Sequence, residues 1–431
     1  METMRTGTNL PRVGGFNRAV VLDTIRSLGE VSRVELAERT GLTPQTVSNI
    51  VRRLIGEGLV AEAGTARSTG GKPRVLLRVV PSAYYAAGVH IDPERLTGVV
   101  LDLAGGVVAR SQWHAQDSSP GAVVGTMGRL LTQLLRRAGV PRARVLGLGV
   151  AAPGPLDAQR RRLIMPPNLD GWTDVALADV LEQRTRLPVV IDNDATAAAI
   201  GERWVGGAAG SFLYVYCGAG IGGGLVLADQ VHRGTTGNAG ELGHVTVQPG
   251  GRLCFCGKHG CLEAYCSMRA IVAQARADRG LEGPAESVAG EYEVLCRAAA
   301  KGADYEVRLL TEAARRIGAV LGDVVNLLDV DTVVLGGPAL RHVGELVRDE
   351  AERVLRERVF ARAVLSPTVR PSAIGEDAGA IGAASLVLEG AYSPRLATLL
   401  GTEINSYQPM NIPRHSQGGV PGTSLPPHPD S

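Results

Sequence analysis

Four of the chain's six cysteines lie in one glycine-rich segment, GGRLCFCGKHGCLEAYCS, which runs from Gly250 to Ser267. They are Cys254, Cys256, Cys261 and Cys266, and His244 stands a short way ahead of them. The pattern His244, Cys254-x-Cys256-x4-Cys261 offers three thiolates and one imidazole. That is the donor set of a closed, tetrahedral, structural zinc site with no open position for catalysis. Gly250, Gly251, Gly257 and Gly260 let the backbone bend tightly enough to wrap an ion. His259 is a rival nitrogen ligand inside the loop, and Cys266 falls on the element that follows it. The alternatives are a disulfide, a redox pair or inert buried thiols.

Compartment bears on that choice. The N-terminal stretch METMRTGTNLPRVGG lacks the apolar core of a secretion signal, and no apolar run reaches the roughly 18 residues of a membrane span. These features predict a cytoplasmic protein without membrane association. Thiols in that compartment stay reduced, which favours metal over disulfide. The 431 residues, 45% apolar and 20% charged, suit a soluble globular chain of two or three domains. The formal charge of +2 is unevenly spread. Residues 1–80 hold twelve basic against seven acidic side chains, and the rest of the chain is mildly acidic. A basic end on an acidic body is the balance expected of a nucleic-acid-binding head.

Residues 17–60 have the periodicity of three short helices. In NRAVVLDTIRSLG, the residues Val20, Val21, Ile25 and Leu28 form a helical stripe ending at Gly29. SRVELAERTG starts at a candidate cap, Ser32, and stops at Gly41. TPQTVSNIVRRLIGEG has Thr43 as N-cap and Pro44 at the first helical position. Its buried stripe is Val47, Ile50, Val51 and Leu54, and its other face carries Gln45, Thr46, Ser48, Asn49 and Arg52. Two short helices joined by a tight turn at Gly41-Leu42 make a helix-turn-helix. The strand-loop-strand after it, with Arg67, Lys72 and Arg74 in a glycine-rich loop, adds a wing. DNA binding is the reading of these residues, with Thr43, Gln45, Thr46, Ser48, Asn49 and Arg52 on the recognition helix and Arg67, Lys72 and Arg74 on the wing. A small helical cap with a solvated polar face is the plain alternative.

From Tyr84 onward strands alternate with helices, which is α/β architecture. ARVLGLGVAAPGPLD and LPVVIDNDATAAAIGERW each run from a buried strand into a polar or Gly/Pro turn. SFLYVYCGAGIGGGLVLADQVHRG is two strands around a glycine run. VDTVVLGGPA is another strand, and GEDAGAIGAASLVLEG a small-residue helix that closes the domain. These readings divide the chain into a flexible N-terminus at 1–16, a winged helix-turn-helix at 17–82, an α/β ligand-binding domain at 83–392 and a Pro/Gly/Ser-rich, disordered tail at 393–431.

GAGIGGGLVLADQVHRGTTGNAGELGHVTV followed by CFCGKHGCLEAYCS resembles the ROK family of repressors, open reading frames and kinases, over roughly residues 17–392. The resemblance implies an actin-like fold of the sugar kinase and ribonuclease H type, with two α/β lobes closing on a sugar. It implies structural zinc held by His244, Cys254, Cys256 and Cys261. It also implies sugar contacts from Gly154 of APGP, Asn168 of PPNLDGW, Asn193 and Asp194 of DNDA, Glu241 and His244 of ELGH, and Glu263 of CLE. The chemistry agrees: sugar hydroxyls both donate and accept, and carboxylates accept from two hydroxyls at once.

Kinases of the family carry Asp-x-Gly-Gly-Thr-Lys at the first hairpin, where backbone N–H groups and the Thr and Lys reach ATP phosphates. This chain reads Asp92-Pro93-Glu94-Arg95-Leu96. Proline removes an N–H, Glu94 adds negative charge, and both glycines are gone. The expectation is therefore a sugar-responsive transcriptional regulator, a repressor, with no enzymatic activity, in which Asp194 is a vestigial base that now contacts ligand. Its partners are operator DNA, a sugar or sugar phosphate, and further copies of itself in a homodimer or homotetramer. Two other readings stand beside it: an active ATP-dependent sugar kinase fused to a DNA-binding domain, and a regulator controlled by a partner protein with a vestigial pocket.

Overall fold

Capping residues set the geometry of the N-terminal unit. The computed structural model describes residues 10–66, 73–114, 117–166, 169 and 171–393. The first unit comprises α1 (Leu10–Leu28), β1 (Val31–Ser32), α2 (Arg33–Thr40), α3 (Pro44–Gly56), β2 (Val60–Thr65) and β3 (Val75–Val79). The Ser32 hydroxyl accepts from the Glu35 N–H, and the Glu35 carboxylate accepts from the Ser32 N–H at 2.8 Å, a reciprocal capping box. Gly41 ends α2 with φ 68°, a left-handed conformation that glycine adopts without a Cβ clash. Thr43 caps α3 and Pro44 opens it, where the missing N–H removes no helical bond. Val47, Val51 and Leu54 are fully buried against Val21, Ile25 and Leu36. β3 is the middle strand of an antiparallel sheet ordered β1-β3-β2.

The helix expected from Asn17 begins earlier, at Leu10, so residues 10–16 are the opening turns of α1 rather than a flexible lead. Pro11 fits there because first-turn N–H groups have no intrahelical acceptor. Arg67, Lys72 and Asn168, and the tail from residue 394, lie outside the described residues.

Two lobes follow, and they repeat one topology. The first contains β4 (Tyr85–Ile91), β5 (Arg95–Asp102), β6 (Val107–His114), α4 (Pro120–Ala138), β7 (Val145–Ala152), a small hairpin of β8 (Leu156–Asp157) and β9 (Arg162–Leu163), α5 (Leu177–Thr185), β10 (Val189–Asn193) and α6 (Asp194–Trp204). The second contains β11 (Phe212–Cys217), β12 (Ile221–Leu227), β13 (Gln230–His232), α7 (Glu263–Cys266), α8 (Met268–Asp278), α9 (Val288–Ala300), α10 (Asp304–Leu328), β14 (Thr332–Gly336), α11 (Gly344–Arg358) and β15 (Thr368–Pro371). Their sheets are ordered β10-β7-β4-β5-β6 and β13-β12-β11-β14-β15. In each, an antiparallel three-strand meander is extended by two parallel strands on the far side of its first strand. The last helix, α12 (Ala378–Tyr392), returns to the first lobe and packs on β4, β7 and α6. Among the described residues, no helix is long and apolar enough to cross a membrane.

Small residues bring α12 close. A Cβ at Gly149 of β7 would lie 1.7 Å from the Ala383 carbonyl oxygen, and one at Gly382 would lie 2.2 Å from the Ala197 oxygen on α6. Gly149→Ala is therefore expected to destabilise the protein by about 1–3 kcal/mol or more, as overpacking does. Gly121→Ala, in α4 with nothing within 4 Å of the new methyl, is expected to be neutral or stabilising by up to about 1 kcal/mol. Thermal unfolding of the two variants checks this; equal midpoints would mean that α12 does not seat as described.

Candidate functional site

The junction of β10 and α6 places three polar residues side by side. Asp192 is buried and accepts from the Arg233 Nε at 2.9 Å, so its charge is committed to holding the strand end. Asn193 is the N-cap of α6, and its side-chain oxygen accepts from the Ala195 N–H at 2.9 Å. That leaves its amide N–H groups for the cleft. Asp194 opens α6, a position where the exposed N–H groups and the helix dipole favour a carboxylate. Its Oδ2 lies 3.9 Å from the Nε2 of buried His90, whose ring stands edge-on to buried Tyr216.

The glycine run explains how Asp194 comes to face the second lobe. A Cβ at Gly224 would lie 2.4 Å from the Ala195 oxygen, and one at Gly222 2.8 Å from the Ala195 Cβ. Without side chains there, the first turn of α6 rests directly on β12. At the head of β12, the Ile221 N–H donates to the Glu263 Oε2 at 2.9 Å. Glu263 opens α7 and is buried. Burial, with smaller contributions from Asp194 and Glu241, pushes its carboxyl up to about 7 against the opposing Ile221 bond. Glu241 is raised as well, first by the protein packed around it and then by Asp194. Three carboxylates thus converge on one space, which suits a ligand rich in hydroxyl donors.

His244 joins that space to the cysteine loop. Its Nδ1 is 3.7 Å from the Cys254 sulfur, and its Nε2 is 4.0 Å from the Glu241 Oε2. The Cys256 and Cys261 sulfurs are also 3.7 Å apart, and the donor atoms of His244, Cys254, Cys256 and Cys261 all lie within 4.8 Å of one another. Sulfurs about 2.3 Å from a shared ion at tetrahedral corners are about 3.8 Å apart, so this cluster fits zinc. All six cysteines are free. His259 is exposed and outside the cluster, and Cys266 is buried against the Ala313 carbonyl of α10. Gly260 makes the loop possible: its φ is 80°, and a Cβ would meet the Gln248 oxygen at 1.8 Å.

A cavity of about 450 Å³ lies between the lobes, lined by Gly154, Asn193, Asp194, Glu241, His244 and Glu263. Six of the seven expected ligand contacts therefore surround one space; the seventh, Asn168, is not described. His90, Met165, Tyr216, Asn238 and Phe255 also line it and escaped sequence reasoning. His90 had a signal, as the one imidazole in the otherwise apolar strand AAGVHI. Asn238 had a weaker one, inside GNAGELGH. Its side chain accepts from the Leu156 N–H and donates to the Leu156 oxygen, both at 2.9 Å, and so fixes the loop that carries Gly154.

A second cavity of about 310 Å³ adjoins the first across Asp92, Pro93 and Ala219. Here the Ser287 hydroxyl, the N-cap of α9, donates to the Glu94 Oε2 at 2.9 Å. A carboxylate from the first lobe thus occupies the N-terminus of a helix in the second, where an anion is favoured. In the winged unit, Thr43, Gln45, Asn49 and Arg52 are exposed along α3, with Thr46 and Ser48 half-buried. The Arg52 Nη1 donates to the Asn49 Oδ1 at 3.2 Å. Arg74 is exposed immediately before β3.

A winged helix-turn-helix on a duplicated, two-lobed α/β body with a carboxylate-lined cleft is the class of molecule these elements define. Residues 86–390 match the ROK family and residues 15–68 the MarR family, and the chain belongs to the ROK family. It is 30% identical over 384 residues to a putative xylose repressor from Caldicellulosiruptor sp. (strain Rt8B.4), covering 86% of this chain and 95% of that protein. The crystal structure of a ROK family transcriptional regulator, a homologue of the Escherichia coli MLC protein, superposes with a TM-score of 0.73 at 23% identity, covering 91% of this chain and 99% of that one. A ROK family glucokinase from Streptomyces griseus, solved with glucose and AMPPNP, is 32% identical with a TM-score of 0.62 and covers 70% of this chain and 98% of its own.

Asn238→Ala removes both bonds to Leu156 and leaves backbone groups unpaired. It is expected to destabilise the first lobe by about 1–3 kcal/mol, read as a lower thermal midpoint. A midpoint matching that of the unmodified chain would show that Asn238 does not hold the loop.

Proposed function

We propose that this chain is a sugar-responsive transcriptional repressor: its winged helix binds operator DNA, and a sugar in the interlobe cavity changes that affinity. The observation that carries the reading is the joining of a polar-faced recognition helix to a body whose interlobe cleft is lined by Asn193, Asp194, Glu241, His244 and Glu263. The similarity to a xylose repressor extends through the winged unit, whereas the glucokinase covers the body alone. An aldose such as D-xylose is the first effector to test. Gly154 would approach it through backbone, and Asn168 is the further contact that the family resemblance implies.

In this reading His244, Cys254, Cys256 and Cys261 would hold zinc, which would supply a structural cross-link. The His244 Nδ1 faces the Cys254 sulfur, which would leave Nε2 for a hydroxyl beside Glu241. Asp194 accepts a hydrogen bond from a sugar hydroxyl without removing its proton, because that hydroxyl has no phosphoryl donor to attack. Glu94 supports the absence of kinase activity, because its carboxylate already fills the helix end that a phosphate would seek. On DNA, α3 enters the major groove with Gln45, Thr46, Ser48 and Asn49 at base edges. Thr43 and Arg52 lie nearer the backbone, and Arg67, Lys72 and Arg74 of the wing reach phosphates. The body corresponds to residues 83–392, and the protein works as a homodimer or homotetramer on an inverted repeat.

Purified protein should carry about one zinc per chain by elemental analysis, and Cys256→Ser should lower metal content and sugar affinity together. Full metal content in a Cys254/Cys256/Cys261 triple serine variant rejects the site. Calorimetry with D-xylose, D-glucose and N-acetyl-D-glucosamine tests the pocket. Asp194→Ala or Glu241→Ala should weaken binding of the sugar that binds by about tenfold or more, since each removes a charged acceptor, with affinity for an in-vitro-selected operator kept. Sugar-dependent ATP turnover abolished by Asp194→Asn would instead establish the kinase reading. On DNA, Asn49→Ala should relax sequence preference, while Arg74→Ala should weaken binding to every duplex and lower the salt slope by about one. The reverse pattern would exchange the roles of helix and wing.

A further inference from the structure

We propose that Phe255 is a specificity-determining contact for the sugar, carried on the cysteine loop, with Met165 as its counterpart on the opposite lobe. The inference rests on the sugar-pocket reading above. Phe255 sits between Cys254 and Cys256, is 59% exposed, and lines the interlobe cavity beside His244, with the two rings edge-to-face at 5.1 Å. Met165 is 64% exposed and lines the same cavity. Its backbone is left-handed, with φ 46°, a conformation that a non-glycine residue rarely holds and that gathers at ligand sites. Large apolar side chains kept in water at the mouth of a cavity that also presents Asp194, Glu241 and Glu263 need a partner surface. A pyranose supplies one: its ring C–H groups form an apolar face beside its hydroxyl edge. Aromatic rings cover such a face at little conformational cost.

Titration of the sugar that binds the wild-type protein, among D-xylose, D-glucose and N-acetyl-D-glucosamine, tests this. Phe255→Ala should weaken binding at least tenfold with zinc content unchanged, Phe255→Trp should stay within about threefold of wild type, and Met165→Ala should fall between them. Wild-type affinity in Phe255→Ala overturns the assignment. Equal loss in Phe255→Ala and Phe255→Trp also overturns it, because a stacking role survives aromatic exchange. If no sugar binds the wild-type protein, the pocket reading itself fails.

A separate set of contacts carries a second inference: the structure assigns to α6 the coupling between sugar and DNA. The N-terminal end of α6 bears Asn193 and Asp194 in the cavity, and its other end grips α1 of the winged unit. The Arg26 guanidinium lies 4.1 Å over the Trp204 ring and donates to the Trp204 carbonyl. Asp23 holds Arg26 at 2.7 Å and lies 3.7 Å from Arg203. Every residue from Ala195 to Trp204 is buried, so the helix, about 16 Å long, moves as a rod or not at all. α1 in turn packs on α2 and α3, and Val21, Ile25 and Val51 share one apolar cluster with Ala195, Ala198 and Trp204.

The expected result for Arg26→Met is a sugar affinity and a sugar-free operator affinity each within about threefold of wild type, while the sugar-induced change in operator affinity falls towards none. Asp23→Asn, a gentler change to the same contact, should reduce that change partially. Undiminished coupling in both variants overturns the relay. A wild-type protein whose operator binding ignores every sugar overturns the regulator reading instead.

Discussion

The close seating of α12 and α6 on the first lobe is the constraint on which the rest depends. Gly149, Gly201 and Gly382 remove the side chains that would keep these elements apart; a Cβ at Gly201 would lie 3.0 Å from the Gly382 backbone. Close approach raises dispersion and excludes water, but it also fixes position, because interiors packed to this density do not deform continuously. One end of the fixed pair presents Asn193 and Asp194 to the cleft, and the other presents Arg203, Trp204 and Glu389 to the winged unit. The Arg203 Nη1 lies 3.5 Å from the Glu389 Oε1, so the far ends of both helices are tied by charge as well as by packing.

The cleft works against that order. Burial raises the carboxyls of Glu241 and Glu263, and the like charges that Asp194, Glu241 and Glu263 bring to one space add to that cost. Two backbone N–H groups offset part of it, that of Ile221 at Glu263 and that of Ala195 at Asp194. Such a site pairs three carboxylate acceptors with fewer donors, among them the Asn193 amide. Donor-rich ligands complete it, and those without hydroxyls leave buried acceptors unpaired, which is how hydrogen-bonding sites discriminate.

Much of this was legible in the sequence, and the reasons differ by element. The caps Ser32 and Thr43 and the terminator Gly41 act within a few residues, so local chemistry revealed them. The cysteine spacing was equally local. The glycine run from Gly218 to Gly224 was visible, but its purpose was not: Gly222 and Gly224 are small because Ala195, distant in sequence, rests on them. His90, Tyr216 and Asn238 were missed for the same reason, since each acquires its role from residues that only the fold brings near. The start of α1 was misjudged because the apolar stripe that marks the helix begins only at Val20, whereas the helix itself begins at Leu10.

Glu94 shows how one hairpin can redirect such a frame. Asp92 and Arg95 close the turn by reciprocal backbone bonds at 2.9 and 3.2 Å, so Pro93 and Glu94 are held at its tip. The tip reaches across the cleft, and Ser287 donates to Glu94 while the first turn of α9 lies behind it. A fixed carboxylate supplies the negative charge that a helix terminus favours, without an exchangeable ligand. The adjoining cavity has Arg95, Arg269 and Arg341 in its walls beside Glu94. In the proposed reading, sugar occupancy and interlobe geometry are the variables left to the molecule. The helix running from the sugar cavity to the winged unit, α6, is the element both can act upon.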